Sequence, residues 1–297
     1  MLAALGMLIV FFAASVLVRW AIDGGAHSLP DSGYRISTAR AVSIWTAQVV
    51  TVLVIVTIAV VLVRRCLRAG QVTFDMAVFV GAFLTSWQDP IFNYSGLGFI
   101  TSHYAVHVAS WGPYLPGWHS IRPENQTEAV LSGSVITYSL MVVWVWLQCR
   151  MTSAIARARP RWGLARLAAV GVLVTTVIDT SIQIPWMLTG LYTYPTRIKS
   201  LTILPDAWYG MPLTYSVLIA VIVVPFGMAR YLLTVKSVEP LMLRGSELAT
   251  GWRAGAVRIL ACAATLNILL FVFAVTTVLV MHSGAATTIS LPSHLWP

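Results

Sequence analysis

The sequence predicts an all-α polytopic membrane protein of about seven transmembrane helices, with a cytoplasmic N-terminus and an aromatic-rich outer loop, forming a single domain over residues 1–297. Three observations predict it. Mean hydropathy is +0.81, and only 10% of the residues are charged. Apolar runs at about 2–22, 41–63, 74–92, 128–149, 165–188, 207–229 and 256–281 approach or exceed the ~20 residues that cross about 30 Å of hydrocarbon. Most of the 19 Lys and Arg residues fall in alternate connections between these runs.

The first run has no basic stretch ahead of it and no small-residue cleavage pattern before Asp23, so it reads as a span rather than a removed signal. The second is followed by Arg64, Arg65 and Arg68. The fourth is followed by Arg150, Arg157, Arg159, Arg161 and Arg166, and the sixth by Arg230, Lys236, Arg244, Arg253 and Arg258. An odd number of spans puts those three connections on one side, and the bias of basic residues makes that side cytoplasmic. The +9 charge therefore describes membrane orientation and not nucleic-acid binding. Cys66, Cys149 and Cys262 fall at or near cytoplasmic helix ends, where thiols stay reduced, and lack zinc-site spacing. The expected location is the cell (plasma) membrane.

With this orientation the histidines, His27, His103, His107, His119, His282 and His294, all lie at or beyond the outer face. Asp89 and Asp179 sit in the outer halves of spans 3 and 5, and Glu124 and Glu128 lead into span 4. A carboxylate at mid-membrane costs about 2.5–3.5 kcal/mol even on lenient scales, so each such placement marks a functional candidate. The inner halves carry almost nothing titratable beyond Asp75, a pattern unlike a transport path through both leaflets and more like a cup opening to the non-cytoplasmic side.

Helical spacing aligns Thr85, Asp89 and Asn93 on span 3. It also aligns Thr175, Thr176, Asp179, Gln183 and Trp186 on span 5, and Glu124, Glu128 and Ser132 on span 4. The alternative reading of these stripes is hydrogen-bonded glue between helices. A short repeat links two of them: Thr85-Ser86-x-Gln88-x-Pro90 recurs as Thr180-Ser181-x-Gln183-x-Pro185. Each proline lacks an N–H and frees the carbonyl four residues earlier, so each predicts a kink with a spare acceptor.

Between spans 3 and 4 lies a long loop, 93–127, with Tyr94, Phe99, Tyr104, Trp111, Tyr114 and Trp118 among glycines and prolines. Loops of that length are lids or binding loops, and their aromatics also serve as headgroup-level anchors. His103 and His107 are four apart, so a short helix would align them; no third ligand accompanies them, and no metal is expected.

Carboxyl groups in a partly dry site resist ionisation and donate protons near neutral pH. Aromatic walls suit a greasy substrate and a cationic transition state, and exclusion of water protects that cation. The expected chemistry is acid-catalysed cyclisation, dehydration or isomerisation of a lipophilic small molecule taken from the bilayer, without a cofactor. Asp89, Asp179, Glu128 and His103 are the catalytic candidates. Trp87, Gln88, Asn93, Tyr94, His107, Trp111, Tyr114, Trp118, His119, Glu124, Gln183 and Trp186 are the binding candidates. Nucleophile elbow, P-loop and dinucleotide fingerprints are absent, and the seventh span has no lysine for a Schiff base.

The "WQDPIFNY" end of span 3, the loop through "HVASWGPYLPGWHS" and the helix plan together resemble the actinobacterial membrane spirocyclases of avermectin-type macrolide biosynthesis. The resemblance covers most of the chain and is strongest over 85–127. It implies closure of a dihydroxy-ketone into a spiroketal, and in one branch of the family a further dehydration. Asp89 is then expected as general acid and Asp179 as its partner or ion stabiliser, assignments made from position alone. The rival classes are a terpene-type membrane cyclase, a seven-helix sensor or lipid-binding protein, and a permease.

Overall fold

The structure, a computed structural model, describes residues 1–27, 35–94, 97–120, 126–131 and 135–295, and not the side chains of Phe92 and Tyr94. The chain runs through α1 (Leu2–Ile22), α2 (Thr38–Ala69), α3 (Phe74–Phe83) and α4 (Asp89–Tyr94). It continues through α5 (Met141–Ala158), α6 (Leu164–Leu188), α7 (Leu213–Val235) and α8 (Gly251–Met281). Among the described residues, six helical segments are long and apolar enough to cross a membrane: α1, α2, a rod over Val135–Ala158 that includes α5, α6, α7 and α8.

The third apolar run is not one helix. α3 stops at Phe83, a 3₁₀ turn spans Ser86–Gln88, and α4 starts at Asp89. Pro90 explains the break. It has no N–H for the Ser86 carbonyl, so the chain tightens and the Asp89 N–H takes that acceptor instead. Ser86 therefore keeps no spare acceptor. The other proline of the repeat behaves differently, since α6 continues through Pro185 to Leu188. The two copies are not structurally equivalent.

The chain break is held by one side chain from α8. Asn267 Oδ1 accepts from Trp87 Nε1 and from Gln88 Nε2, each at 2.8 Å. Its Nδ2 donates to the Ala263 carbonyl at 2.8 Å and to the Leu84 carbonyl at 3.4 Å. Leu84 follows the last residue of α3, where carbonyls lose their helical partners. Buried Asn267 thus closes the polar groups that the break leaves open.

The fourth run also departs from expectation. Its first residues are strand, and helix begins with a 3₁₀ segment at Val135. Short two-stranded pairs tie the connections at this end of the bundle, a departure from a purely α fold. They are β1 (Ile100–Thr101), β2 (His107–Ala109), β3 (Thr127–Ala129), β4 (Tyr192–Thr193), β5 (Thr196–Arg197), β6 (Thr202–Ile203), β7 (Met211–Pro212) and β8 (Thr287–Thr288). All pair antiparallel: β1 with β4, β2 with β3, β5 with β8 and β6 with β7. In β2–β3, Val108 faces Glu128 across the ladder. The expected helical stripe Glu124–Glu128–Ser132 is not formed, because Glu128 is on a strand; Glu124 and Ser132 lie outside the described residues. The sixth span starts later than expected, at Leu213, and the seventh extends back to Gly251.

α7 packs against both α5 and α6, and α8 against α1 and α3. α5 and α6 approach where Gln148 meets glycine. A Cβ added at Gly171 would lie 2.4 Å from Gln148 Nε2, and one at Gly227 2.2 Å from Gln148 Cγ. Thr175 Oγ1 donates to Gln148 Oε1 at this level. At the Arg-rich end, Asp75 accepts from Arg230 Nε at 2.8 Å and Nη2 at 3.2 Å, and from Arg65 Nη1 at 3.4 Å. That cluster ties α3 to α7 and α2.

Replacing Asn267 with Leu strips the acceptor from the Trp87 indole and the Gln88 amide. A buried donor left unsatisfied costs about 1–3 kcal/mol, so Asn267→Leu is expected to lower stability by about 2–4 kcal/mol. Thermal unfolding in detergent measures it, and unchanged melting would refute the clamp.

Candidate active site

The end of the bundle with the strand pairs encloses a cavity of about 300 Å³, within the size range of small-molecule sites. Its back wall comes from α3, α7 and α8, including Leu266, Leu270 and Phe273, all buried. Its outer end is roofed by Phe99, Tyr192 and Tyr194, also buried. These three rings pack on one another, with centroids 4.9 Å apart for Phe99–Tyr192 and 5.5 Å for Phe99–Tyr194. β1–β4 pairing brings them together: Ile100, next to Phe99, faces Thr193, between the two tyrosines. Contrary to the open cup expected, the cavity has an aromatic ceiling.

Among the described residues lining the cavity Asp179 is the only carboxyl, and it is 1% exposed. Its position on α6 follows from spacing: Thr175, one turn earlier, faces Gln148 on α5, so Asp179 also turns toward α5. There Trp144 Nε1 donates to Asp179 Oδ1 at 3.2 Å. Gln183, one turn later, directs Nε2 to both carboxylate oxygens at 3.5 Å. The Gln183 amide is itself fixed from above, because Tyr194 Oη donates to its Oε1 at 3.1 Å and Tyr192 Oη donates to the same atom. Burial raises the pKa of both phenols, so these hydroxyls remain donors. An acceptor-side oxygen held by two tyrosines leaves the amide nitrogen for Asp179. These donors offset part of the cost of burying the carboxyl.

Asp89 and Glu128 form a second carboxyl site, behind the cavity wall. Tyr138, which lines the cavity, donates from Oη to Asp89 Oδ1 at 2.6 Å. Glu128 adjoins Asp89 from the other side, with both side chains buried. Ser110 Oγ donates to Glu128 Oε1 at 2.7 Å, and Asn93 Nδ2 lies 3.5 Å from Oε2. Burial, and then the adjacent Asp89 carboxyl, push the Glu128 carboxyl well above its ordinary range. Two like charges in one dry site disfavour double ionisation, so the pair retains a proton. Asp89 Oδ2 has no donor among the described residues, and a proton shared with Glu128 would satisfy it.

The expected meeting of Asp89 and Asp179 in one pocket does not occur, because the break before α4 turns Asp89 behind the cavity wall. Asp179, Gln183, Trp186 and Thr85 line the cavity; Asp89, Asn93 and Glu128 do not, and Tyr138 connects them to it. Gln88 and Trp87 are committed to Asn267, and the Trp87 ring packs edge-on to Phe12 at 5.4 Å. Trp111 Nε1 donates to the Trp87 carbonyl at 2.9 Å, and Trp118 Nε1 to the Pro90 carbonyl at 2.8 Å. With Trp20 and Val16 of α1 these rings form a separate apolar cluster that anchors the 97–120 segment. Tyr114 is half-buried and lies beside Asp23, which raises the pKa of its phenol through a hydrogen bond. His119 is exposed.

No short helix aligns His103 and His107. The first lies in a turn and the second in β2, their rings perpendicular and 6.4 Å apart. His107 Nδ1 engages the Ala105 carbonyl at 2.7 Å. Glu124 and the Tyr94 side chain lie outside the described residues. Among the described residues no group of three His, Cys, Asp or Glu is arranged to hold a metal. Sequence reasoning missed Tyr138, Trp144, Tyr192 and Tyr194. Trp144 had a usable signal, being one turn before Gln148 on the same face of α5; the two loop tyrosines had none beyond aromatic character.

A family model described as Spirocyclase AveC-like matches residues 69–295. No curated protein and no solved structure shows significant similarity to the chain.

The raised Glu128 carboxyl gives a signed pH dependence. The folded state binds this proton more tightly than the unfolded chain, whose glutamates titrate near 4.5. Stability from this group is therefore complete below that value and declines as pH rises through the folded pKa. Glu128→Gln keeps the shape and removes the titration, so the melting temperature of the variant relative to wild type is expected to increase as pH rises above about 5. A constant difference across that range would refute it.

Proposed function

The chain belongs to the spirocyclase AveC-like family, and we propose that it is a membrane-embedded, cofactor-independent acid–base cyclase that closes a lipophilic, polyketide-type dihydroxy-ketone into a spiroketal with loss of water. The Arg-rich end of the bundle faces the cytoplasm, and the cavity lies in the cell membrane toward the non-cytoplasmic side. Membership supports the spirocyclase role. The single structural observation that carries the mechanism is an apolar, aromatic cavity whose lining includes both the Asp179 carboxyl and the Tyr138 hydroxyl.

One hydroxyl of the substrate adds to the ketone and gives a hemiketal. The Tyr138 hydroxyl, which donates to Asp89 Oδ1 at rest, turns to the hemiketal hydroxyl and passes its proton to that oxygen as the retained proton of the Asp89–Glu128 pair moves to Tyr138 Oη. Departure of that oxygen as water leaves an oxocarbenium ion. The Asp179 carboxylate and the π faces of Trp144 and Tyr194 stabilise this cation. The second hydroxyl attacks it, its proton passes to Asp179, and the spiroketal forms. Return of that proton to the Asp89–Glu128 pair completes the cycle, with one water released and no electrons transferred. The apolar walls keep other water from capturing the ion. His103 lies outside this route and serves the packing of the outer segment.

Asp179→Asn is nearly isosteric and cannot hold the charge or take the proton. General acid–base groups contribute about 10²–10⁴-fold, so turnover of a dihydroxy-ketone by purified Asp179→Asn is expected to fall by about 10²–10³-fold while substrate binding persists. Tyr138→Phe is expected to lower turnover by at least about tenfold. Spiroketal formation followed by mass spectrometry, with binding measured separately, tests both. Wild-type turnover in both variants refutes the mechanism.

A further inference from the structure

We infer that the cavity has a lateral mouth between α5 and α6, opening to lipid hydrocarbon, through which the substrate enters sideways. The inference rests on the proposed function for the identity of the guest, and on the cavity walls for the route. The wall residues from α3 and α8, and the ceiling residues, are buried. Exposure is concentrated on the side formed by Thr137–Trp144 and Ile182–Trp186. Ile182 both lines the cavity and is 38% exposed.

Helix geometry accounts for an opening there. α5 and α6 touch at Gln148, where Gly171 removes the side chain that would collide. One turn toward the cavity, the contact is no longer backbone against side chain. It is the long reach of the Trp144 indole to Asp179. Beyond Trp144 the rod is 3₁₀ from Val135 to Leu140, with a different side-chain period from the facing α6. We place the closed end of the mouth at Gln148 and its open side beyond Trp144.

The rim indicates what the mouth opens to. Leu140, Met141, Trp144, Ile182 and Trp186 carry no charge. The adjoining surface of α6 continues as exposed Val177 and Leu173. An aqueous entrance would need polar or charged groups to hold water at its edge; this one matches a hydrocarbon solvent. The Trp144–Asp179 hydrogen bond crosses the mouth, so Trp144 is the gate, and its indole must swing aside for a bulky guest to pass.

Tryptophan fluorescence in liposomes tests this without any turnover measurement. The emission lost on Trp144→Phe identifies the Trp144 signal. In vesicles of dibrominated phosphatidylcholine most of that signal is expected to disappear, while aqueous iodide leaves it unchanged. Introducing Ile182→Phe, which narrows the gap, is expected to restore the emission in brominated vesicles. Quenching by iodide, absence of quenching by brominated lipid, or no protection by Ile182→Phe would each overturn the inference. Should Trp144→Phe fail to fold, Trp186→Phe reads the opposite rim by the same criteria. Loss of the catalytic reading would appear separately, as unaltered turnover in Asp179→Asn with lipid quenching intact.

Discussion

The structure depends on an interrupted helix and the amide that makes the interruption tolerable. A third apolar run that continued as one helix would present Gln88 and Asp89 along a simple face. Pro90 prevents that, and in apolar surroundings the freed polar groups need partners within the protein. The Asp89 N–H takes the Ser86 carbonyl, and Asn267 pairs the Leu84 carbonyl, the Trp87 indole and the Gln88 amide nitrogen, with both halves of its amide engaged. The consequence reaches beyond local stability. The turn at Ser86–Gln88 redirects α4 and sets Asp89 beside Tyr138 and Glu128, where a proton can be held next to the cavity without being inside it.

The two carboxyl sites have opposite surroundings, and this separates their chemistry. Asp179 is met by an indole and an amide donor. Asp89 and Glu128 meet each other, which favours a retained proton. On the mechanism proposed above, Asp179 stabilises the cation and the Asp89–Glu128 pair supplies the proton, with Tyr138 between the pair and the cavity. The same residue types in a single pocket would have formed one coupled pair with a compromise between both roles.

The sequence made several of these features legible, for identifiable reasons. Hydropathy located the six long helical segments because apolar length is read residue by residue. Asp89 and Asp179 stood out because carboxyls in apolar runs are costly. Helix rotation on α6 was also readable: Thr175, Asp179, Gln183 and Trp186 do share a face, and it is turned toward the cavity or α5. What periodicity did not reveal was the partner of each group. Glu128 looked helical because apolar residues follow it, and only its pairing with Val108 explains the strand. Gln88, Trp87, Trp111 and Trp118 looked like binding residues, yet their N–H groups go to protein acceptors. Tyr192 and Tyr194 joined the site through a loop-to-loop pairing that no local pattern encodes.

The ceiling of the cavity is assembled from two loops far apart in the chain, Phe99 from one and Tyr192 with Tyr194 from the other. The charged machinery, by contrast, sits on or against helices. Shape and reactivity are thus carried by separable pieces of sequence. A guest pressed under that ceiling meets rings from the loops on one face and helix side chains on the other, so the loops shape one side of the cavity independently of the helices.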